Sequence, residues 1–270
     1  MIRTSKVRAF SLVELLAVVA IIMILLMLLV PLATEVKHRA KLPGCFQNMR
    51  SIAIAYTQFC ANNDGRTPGP CWGVLWADWG RQYGWLYGDQ AEFDKVDDVK
   101  SGQLWPYMSD MRAFRCPADQ IPVPASDPTF PNCPYNTRLL TSYVANGSTA
   151  GYPGNSGEYP GYNFTTKLFN TFKISQYNPL DVMYWEPDER AGGGGSWGDW
   201  WDGGNSPNQD MTRRHGPARN SATPDPLREK GVMGCNDGHA EIILRSDFNA
   251  LGAASVRNRV WNAPDTANGH

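Results

Sequence analysis

The chain has 270 residues, a formal net charge of −1 and an apolar fraction of 42%, room for one good domain plus a tail, or for two small domains. No basic stripe runs along it, so nucleic acid is not an expected partner. The 26 Gly and 20 Pro imply many loops and few long helices beyond the N-terminus, and the 10 Trp and 11 Tyr are rich for this length.

A short leader, residues 1–9, carries Arg3, Lys6 and Arg8. It meets Phe10-Ser11-Leu12-Val13-Glu14-Leu15-Leu16, the start of an apolar run that lasts to Val30. At 1.5 Å per residue, 10–30 is just long enough as a helix to cross about 30 Å of hydrocarbon. Glu14 is the lone acid in this run. An acid within a membrane helix costs roughly 2.5–3.5 kcal/mol on insertion scales and marks function by default. Its nearest candidate partner is the amine that a cut just before Phe10 would create. A secretory signal has an apolar core of about 7–15 residues and a small-residue cleavage site after it. The run over 15–30 is longer, and Pro31-Leu32-Ala33 matches such a site poorly. A plain signal anchor requires neither the acid nor the Ala9-Phe10 junction.

Helical periodicity continues past the apolar run. Met49, Ile52, Ala53, Tyr56, Phe59 and Cys60 recur at three- and four-residue steps and form one apolar face. Asn62-Asn63-Asp64-Gly65 supplies a stop. The simplest expectation is one helix over 10–62, half in lipid (10–31) and half an amphipathic extension (32–62) packed on a globular head (63–270). Pro31 and the Pro43-Gly44 pair should bend or interrupt it. Beyond Gly65, a helical period returns only over 89–107. Strand-like runs occur at 142–146, 181–185, 231–236 and 239–244, separated by loops rich in Gly, Pro, Asn and aromatic residues. This pattern predicts an α+β head, with the long N-terminal helix packed on a small antiparallel sheet and long irregular loops. Trp197, Trp200 and Trp201 sit among glycines and are read as packing residues.

Two resemblances give these elements a context. Ala9-Phe10-Ser11-Leu12-Val13-Glu14-Leu15-Leu16 resembles the cleavage and methylation signal of type IV pilins and type II secretion pseudopilins. The resemblance implies cleavage between Ala9 and Phe10 by a prepilin peptidase that also methylates the new Phe10 amine. It implies an assembly role for Glu14, at the fifth mature position, and a place for Pro31 at the twenty-second. The family's usual residue before the cut is Gly, and this chain has Ala9. Charge leaves the topology balanced, with Lys37, Arg39 and Lys41 following the run. The resemblance places the leader in the cytoplasm and the head in the periplasm of a bacterium, anchored in inner-membrane lipid, with like or related pilin subunits as partners.

The second resemblance lies in the head. Arg214-His215-Gly216 followed by Cys235-Asn236-Asp237-Gly238-His239 is similar to the C-terminal H-x9-DG element of a large planctomycete-type pilin-like family. Here a Pro-rich insertion over 217–230 lengthens the gap, which puts a fixed contact between His215 and Asp237 in question. Cys45-Phe46-Gln47-Asn48, Asn62-Asn63-Asp64-Gly65, Leu104-Trp105-Pro106-Tyr107 and Cys116-Pro117-Ala118-Asp119 resemble further segments of that family. Asp237-Gly238, between two strand-like runs, predicts a hairpin with a type I′ turn, positive in φ at both central positions.

In an oxidising compartment the six Cys permit disulfides, in about 15 full pairings. Cys116 and Cys133 lie in a Pro-rich segment and are the preferred pair, about 17 residues apart, closing a loop worth roughly 3 kcal/mol. Cys45 and Cys60 stand about 22 Å apart along the predicted helix, too far to bond each other.

Catalysis is not expected. His215, His239, Asp237 and Cys235 are available, but no G-x-S-x-G, H-E-x-x-H or P-loop motif is present, and a turn Asp with a surface His is the plainer reading. Paired Cys-x-x-Cys ligands for zinc are absent. Asp64 with its Asn neighbours, or Asp199, Asp202 and Asp210, offer oxygen ligands for calcium. Neither set follows a twelve-residue calcium loop, and helix capping explains 62–65 as well. The expected function is therefore a structural subunit of a pilin-like filament without a cofactor. The alternative is a membrane-anchored, non-polymerising module that binds glycan or protein.

Overall fold

The computed structural model describes residues 12–39, 41–71, 83–88, 96–119, 140–152, 162–163, 168–188, 203–216 and 229–269; in the first helix the described side chains run from Leu12 to Met27. The chain forms two compact units, Met1–Ala40 and Lys41–His270.

The first unit holds α1, Leu12–Arg39, whose helical backbone passes through position 31. Its described large side chains are all exposed, from 42% at Val19 to 76% at Leu12. Those side chains span about 24 Å of helix, and among the described residues no helix is long and apolar enough to cross a membrane.

The expected single helix over 10–62 is instead two. The second, α2, spans Leu42–Asn62 and carries Pro43 in its first turn, where the missing N–H would have no intrahelical partner. Of the two outcomes expected at Pro43, a bend or an interruption, the structure has the interruption, with Pro43 opening the second helix. At the other end Asp64 and Gly65 take positive φ, and the Gly65 N–H closes on the Cys60 carbonyl. The predicted stop at 62–65 is thus met by a left-handed C-terminal cap.

The period over 89–107 resolves, within its described part, into a 3₁₀ turn at Val96–Ser101 and the short α3, Trp105–Met108. The strands follow in order: β1 Val144–Asn146, β2 Tyr162–Asn163, β3 Leu168–Phe169, β4 Val182–Trp185, β5 Gly204–Asn205, β6 Lys230–Cys235 and β7 Ala240–Leu244. All four strand-like runs of the sequence contain a strand. The main sheet has the order β5-β1-β4-β6-β7, while β2 and β3 form a separate ribbon. The sheet is mixed, not antiparallel as expected, because β5 joins β1 in parallel. A terminal helix, α4 Arg245–Gly252, follows β7 directly.

The sheet is covered on both faces, which is why its strands read as nearly unbroken apolar runs. On one face α2 lays Met49, Ile52, Tyr56 and Phe59 against Ala145, Tyr184 and Val232. On the other, Trp185, Met233, Phe248, Val260 and Trp261 form a second core under α4 and the C-terminal segment. Strand alternation divides β6 accordingly, with Val232 in the first core and Met233 in the second.

Candidate functional site

Two features of the molecule have chemistry beyond packing. The first is α1. Glu14 lies in its first turn and is exposed, where the positive end of the helix dipole favours a carboxylate. Ala9 and Phe10 lie outside the described residues.

The second is a charged cluster inside the head, gathered from four separate stretches of sequence. Cys45 enters from the first turn of α2 and Cys116 from the turn after the 3₁₀ segment Met111–Phe114, and they form a disulfide with Cα atoms 4.9 Å apart. Their approach depends on Gly44: a Cβ there would stand 3.0 Å from Pro117 Cγ. The preferred Cys116–Cys133 pair is therefore corrected. Cys116 is taken by Cys45, and Cys133 lies outside the described residues. The preference weighted short loop closure, whereas the fold of α2 onto the 111–119 segment brings together residues 71 apart in sequence. Cys60 does not pair with Cys45, as helical rise predicts; it is a buried thiol, as is Cys235, and burial pushes both up to about 12.

Glu186 caps the end of β4 and is fully buried. One of its carboxylate oxygens accepts from the Val232 N–H at 3.0 Å, and His215 Nε2 stands 3.1 Å from the same carboxylate. The same Nε2 lies 3.6 Å from Cys116 Sγ. Arg214, also fully buried, places one guanidinium nitrogen 3.1 Å from the Ser142 carbonyl oxygen and 3.8 Å from Glu186. Its other terminal nitrogen stands 3.7 Å from Asp119, which accepts from the Ser142 hydroxyl at 2.7 Å. The arrangement is a buried ion cluster held by these contacts. Such clusters add little net stability but make the loss of any one partner costly.

A second charged group adjoins it. Arg213 pairs with buried Asp188 at 2.8 Å, and Arg245 bridges Glu229, Asp188 and Asp210. These pairs fix the start of α4 to the segment that carries Arg214 and His215. They also engage Asp210, while Lys173 engages Asp64 at 3.1 Å. Asp199 and Asp202 lie outside the described residues.

The Asp237-Gly238 hairpin is present but differs from expectation. Only Gly238 has positive φ, at 89°. The Gly238 N–H bonds the Cys235 carbonyl, and the Cys235 N–H bonds the His239 carbonyl. The loop is thus three residues, 236–238, a type closed by one left-handed residue and not by a type I′ pair. Asn236, which precedes the dipeptide, accounts for the extra residue. It is buried, accepts from the Tyr56 hydroxyl at 2.8 Å and donates to the Ile174 carbonyl at 3.1 Å. The turn is thereby tied to α2. Asp237 accepts from the backbone N–H of His239 and contacts its ring. Partial burial works against ionisation of Asp237, yet these bonds prevail and lower its pKa.

His215 and Asp237 do not meet: the first faces Cys116 and Glu186, the second faces His239. Cys235, His239 and Glu241 bring ligand atoms within 4.8 Å of one another, but Arg259 engages Glu241 and Asp237 engages His239. Sequence reasoning singled out His215 and Cys116 without joining them, and it missed Cys45 as a partner, Glu186 and Arg214. The available signal was an isolated acid directly after the apolar run 182–185, since an ionised residue that ends a doubly covered strand requires buried cations.

Comparisons with protein-family models, with curated proteins and with solved structures find no match.

Proposed function

We propose that this chain is a structural, non-enzymatic subunit of a pilin-like filament. It is inserted in the bacterial inner membrane with its head in the periplasm, trimmed between Ala9 and Phe10 by a prepilin peptidase, and assembled through α1. The observation that carries this reading is the exposure of the whole described apolar surface of α1, Leu12 to Met27. A soluble monomer rarely exposes a contiguous apolar patch of this extent, so the surface calls for lipid or other subunits. Within that helix the apolar sequence continues to Val30, about 28 Å from Leu12, close to the thickness of a bilayer core. The disulfide agrees with a head outside the cytoplasm. The high thiol pKa values of Cys60 and Cys235 agree with inert, structural cysteines.

In the filament the Glu14 carboxylate would pair with the Phe10 ammonium of an adjacent subunit, an exchange worth most where water is excluded. Glu14→Leu is expected to insert, to be cleaved and to fold, yet to be missing from sheared surface filaments formed beside wild-type subunits. Equal incorporation of both forms would overturn the role of the acid. Sheared fractions devoid of assembled chain would instead favour a tethered module that never polymerises. Ala9→Glu is expected to block the cut, read as the full-length mass of the membrane-extracted protein.

A further inference from the structure

The disulfide occupies the centre of a donor set that also suits a metal. Cys45, Cys116, Glu186 and His215 each present one ligand atom, and the four atoms lie within 4.8 Å of one another. All four side chains are buried, with His215 and Glu186 side chains at 1% and 0% exposure. Two thiolates, one imidazole and one carboxylate make a donor set of the kind zinc takes in four-coordinate sites. The surroundings match as well. The Ala118 N–H points at Cys116 Sγ at 3.3 Å, a contact that favours a thiolate. Val232 N–H and Arg214 hold the Glu186 carboxylate from behind, which is the supporting role that outer partners play around metal ligands. His215 turns Nε2 into the cluster, and its buried Nδ1 has no hydrogen-bond partner among the described residues. Nε2 thus faces the Glu186 carboxylate and the Cys116 sulfur together, which places three of the four donors around one point.

We propose that the head has two alternative states at this position: the Cys45–Cys116 disulfide, and a zinc-class site formed by Cys45, Cys116, His215 and Glu186 when that bond is reduced. Reduction by an external dithiol transfers two electrons and two protons to the protein sulfurs and leaves the reductant as a disulfide. Binding of a divalent cation then releases the two thiol protons to solvent. A metal held in this way would replace the covalent link between α2 and the 111–119 segment during the interval before oxidation. The inference rests on the head alone and does not depend on the filament reading.

The test uses the full chain in detergent, treated with a phosphine reductant that is then removed without oxygen. Titration with Co²⁺ is expected to give one equivalent of binding with sulfur-to-metal charge-transfer absorption and intense visible bands, displaced by Zn²⁺. Oxidised protein is expected to give none of these. Zn²⁺ should shield Cys45 and Cys116 from alkylation in peptide mapping, and it should raise the melting temperature of reduced protein only. His215→Gln and Glu186→Gln, each checked for folding in the oxidised state, should weaken binding by at least the roughly tenfold typical of losing a supporting partner. Cys235→Ser should leave binding unchanged. Absence of thiolate-to-cobalt absorption in reduced wild type would overturn the proposal. So would shielding of cysteines other than Cys45 and Cys116, or binding of the His215→Gln variant equal to wild type.

Discussion

The two principal helices of this chain, separated by two residues, handle apolar surface in opposite ways. α2 buries Cys45, Met49, Ile52, Ala53, Ala55, Tyr56, Phe59 and Cys60 and turns its polar side outward. Over its described side chains α1 is apolar apart from Glu14, and its large side chains are exposed. The hydrophobic effect acts on both with the same strength per unit area, roughly 25 cal/mol per Å². The difference lies in where the covering surface comes from. For α2 it is the sheet of the same chain, so its pattern has one stripe. For α1, on the proposed function, it comes from lipid or from other subunits, which fits a pattern with no preferred face.

The sharpest way to break this comparison is to separate the units. A fragment over 41–270 is expected to fold and stay monomeric without detergent, with the same near-ultraviolet circular dichroism as the intact chain. The intact chain is expected to sediment with membranes and to need detergent for extraction. A fragment that still aggregates would show that the head hides an interface of its own, and that α1 is not the main site of association.

The next largest effect concerns how α2 is held. The Cys45–Cys116 bond closes a loop of 71 residues, worth about 4 kcal/mol on the chain-entropy account. Cys45→Ser with Cys116→Ser should lower the denaturant midpoint of the 41–270 fragment accordingly while leaving the membrane partition of the full chain unchanged. Non-reducing peptide mapping that found Cys116 joined to Cys133 would reverse the assignment.

How much of this was readable in advance depends on the range of the interactions involved. The apolar run over 10–30, the face of α2 and the four principal strands follow from periodicity, a property of neighbouring residues, and the structure places elements at each. The break between α1 and α2 is marked by Pro43, for which the sequence leaves bend and interruption open, since a proline in a first turn and one in a kink look alike in sequence. The parallel pairing of β5 was invisible, because Gly204-Asn205 is too short to show alternation and its partner β1 lies almost sixty residues away. The Asp-Gly pair signalled a hairpin correctly. The extra loop residue was set by Asn236, whose buried bonds to Tyr56 and Ile174 are contacts across the fold. The ion cluster was the least legible part. Asp119, Glu186, Arg214 and His215 come from distant stretches, and apart from the place of Glu186 directly after an apolar run nothing local marks them as buried.

A smaller effect probes the tie between the hairpin and α2. Asn236→Ala leaves the buried Tyr56 hydroxyl and the Ile174 carbonyl without this partner, a loss of about 1–3 kcal/mol. Tyr56→Phe should cost less, because it removes the donor together with its need for a partner. A double-mutant cycle on the 41–270 fragment should show clear coupling between the two. Additive losses would mean that the turn is held by its backbone bonds, Asn236 N–H to the Asp181 carbonyl and Asp237 N–H to the Pro179 carbonyl, and not by the side chain.

The smallest expected effect is a pH dependence at the base of the same hairpin. Asp181 is buried beside β4, and desolvation raises its pKa despite the bond it accepts from the Asn178 N–H at 2.9 Å and the nearby arginines. The folded state therefore holds the proton more tightly than the unfolded chain does. Below the unfolded value of about 3.9, both states are protonated and the full benefit of that tighter binding is present. As pH rises through that value the unfolded Asp ionises first, and stability falls until the folded carboxyl ionises as well. Asp181→Asn has no proton to lose. Whatever constant offset the amide introduces, the difference in unfolding free energy between variant and wild type should move in the variant's favour across this acidic interval and then level off. Urea titrations of the 41–270 fragment at a series of acidic pH values measure that difference directly. A difference that stayed flat, or moved toward wild type with rising pH, would mean that Arg257 and Arg259 outweigh burial and that the Asp181 carboxylate is the form the fold prefers.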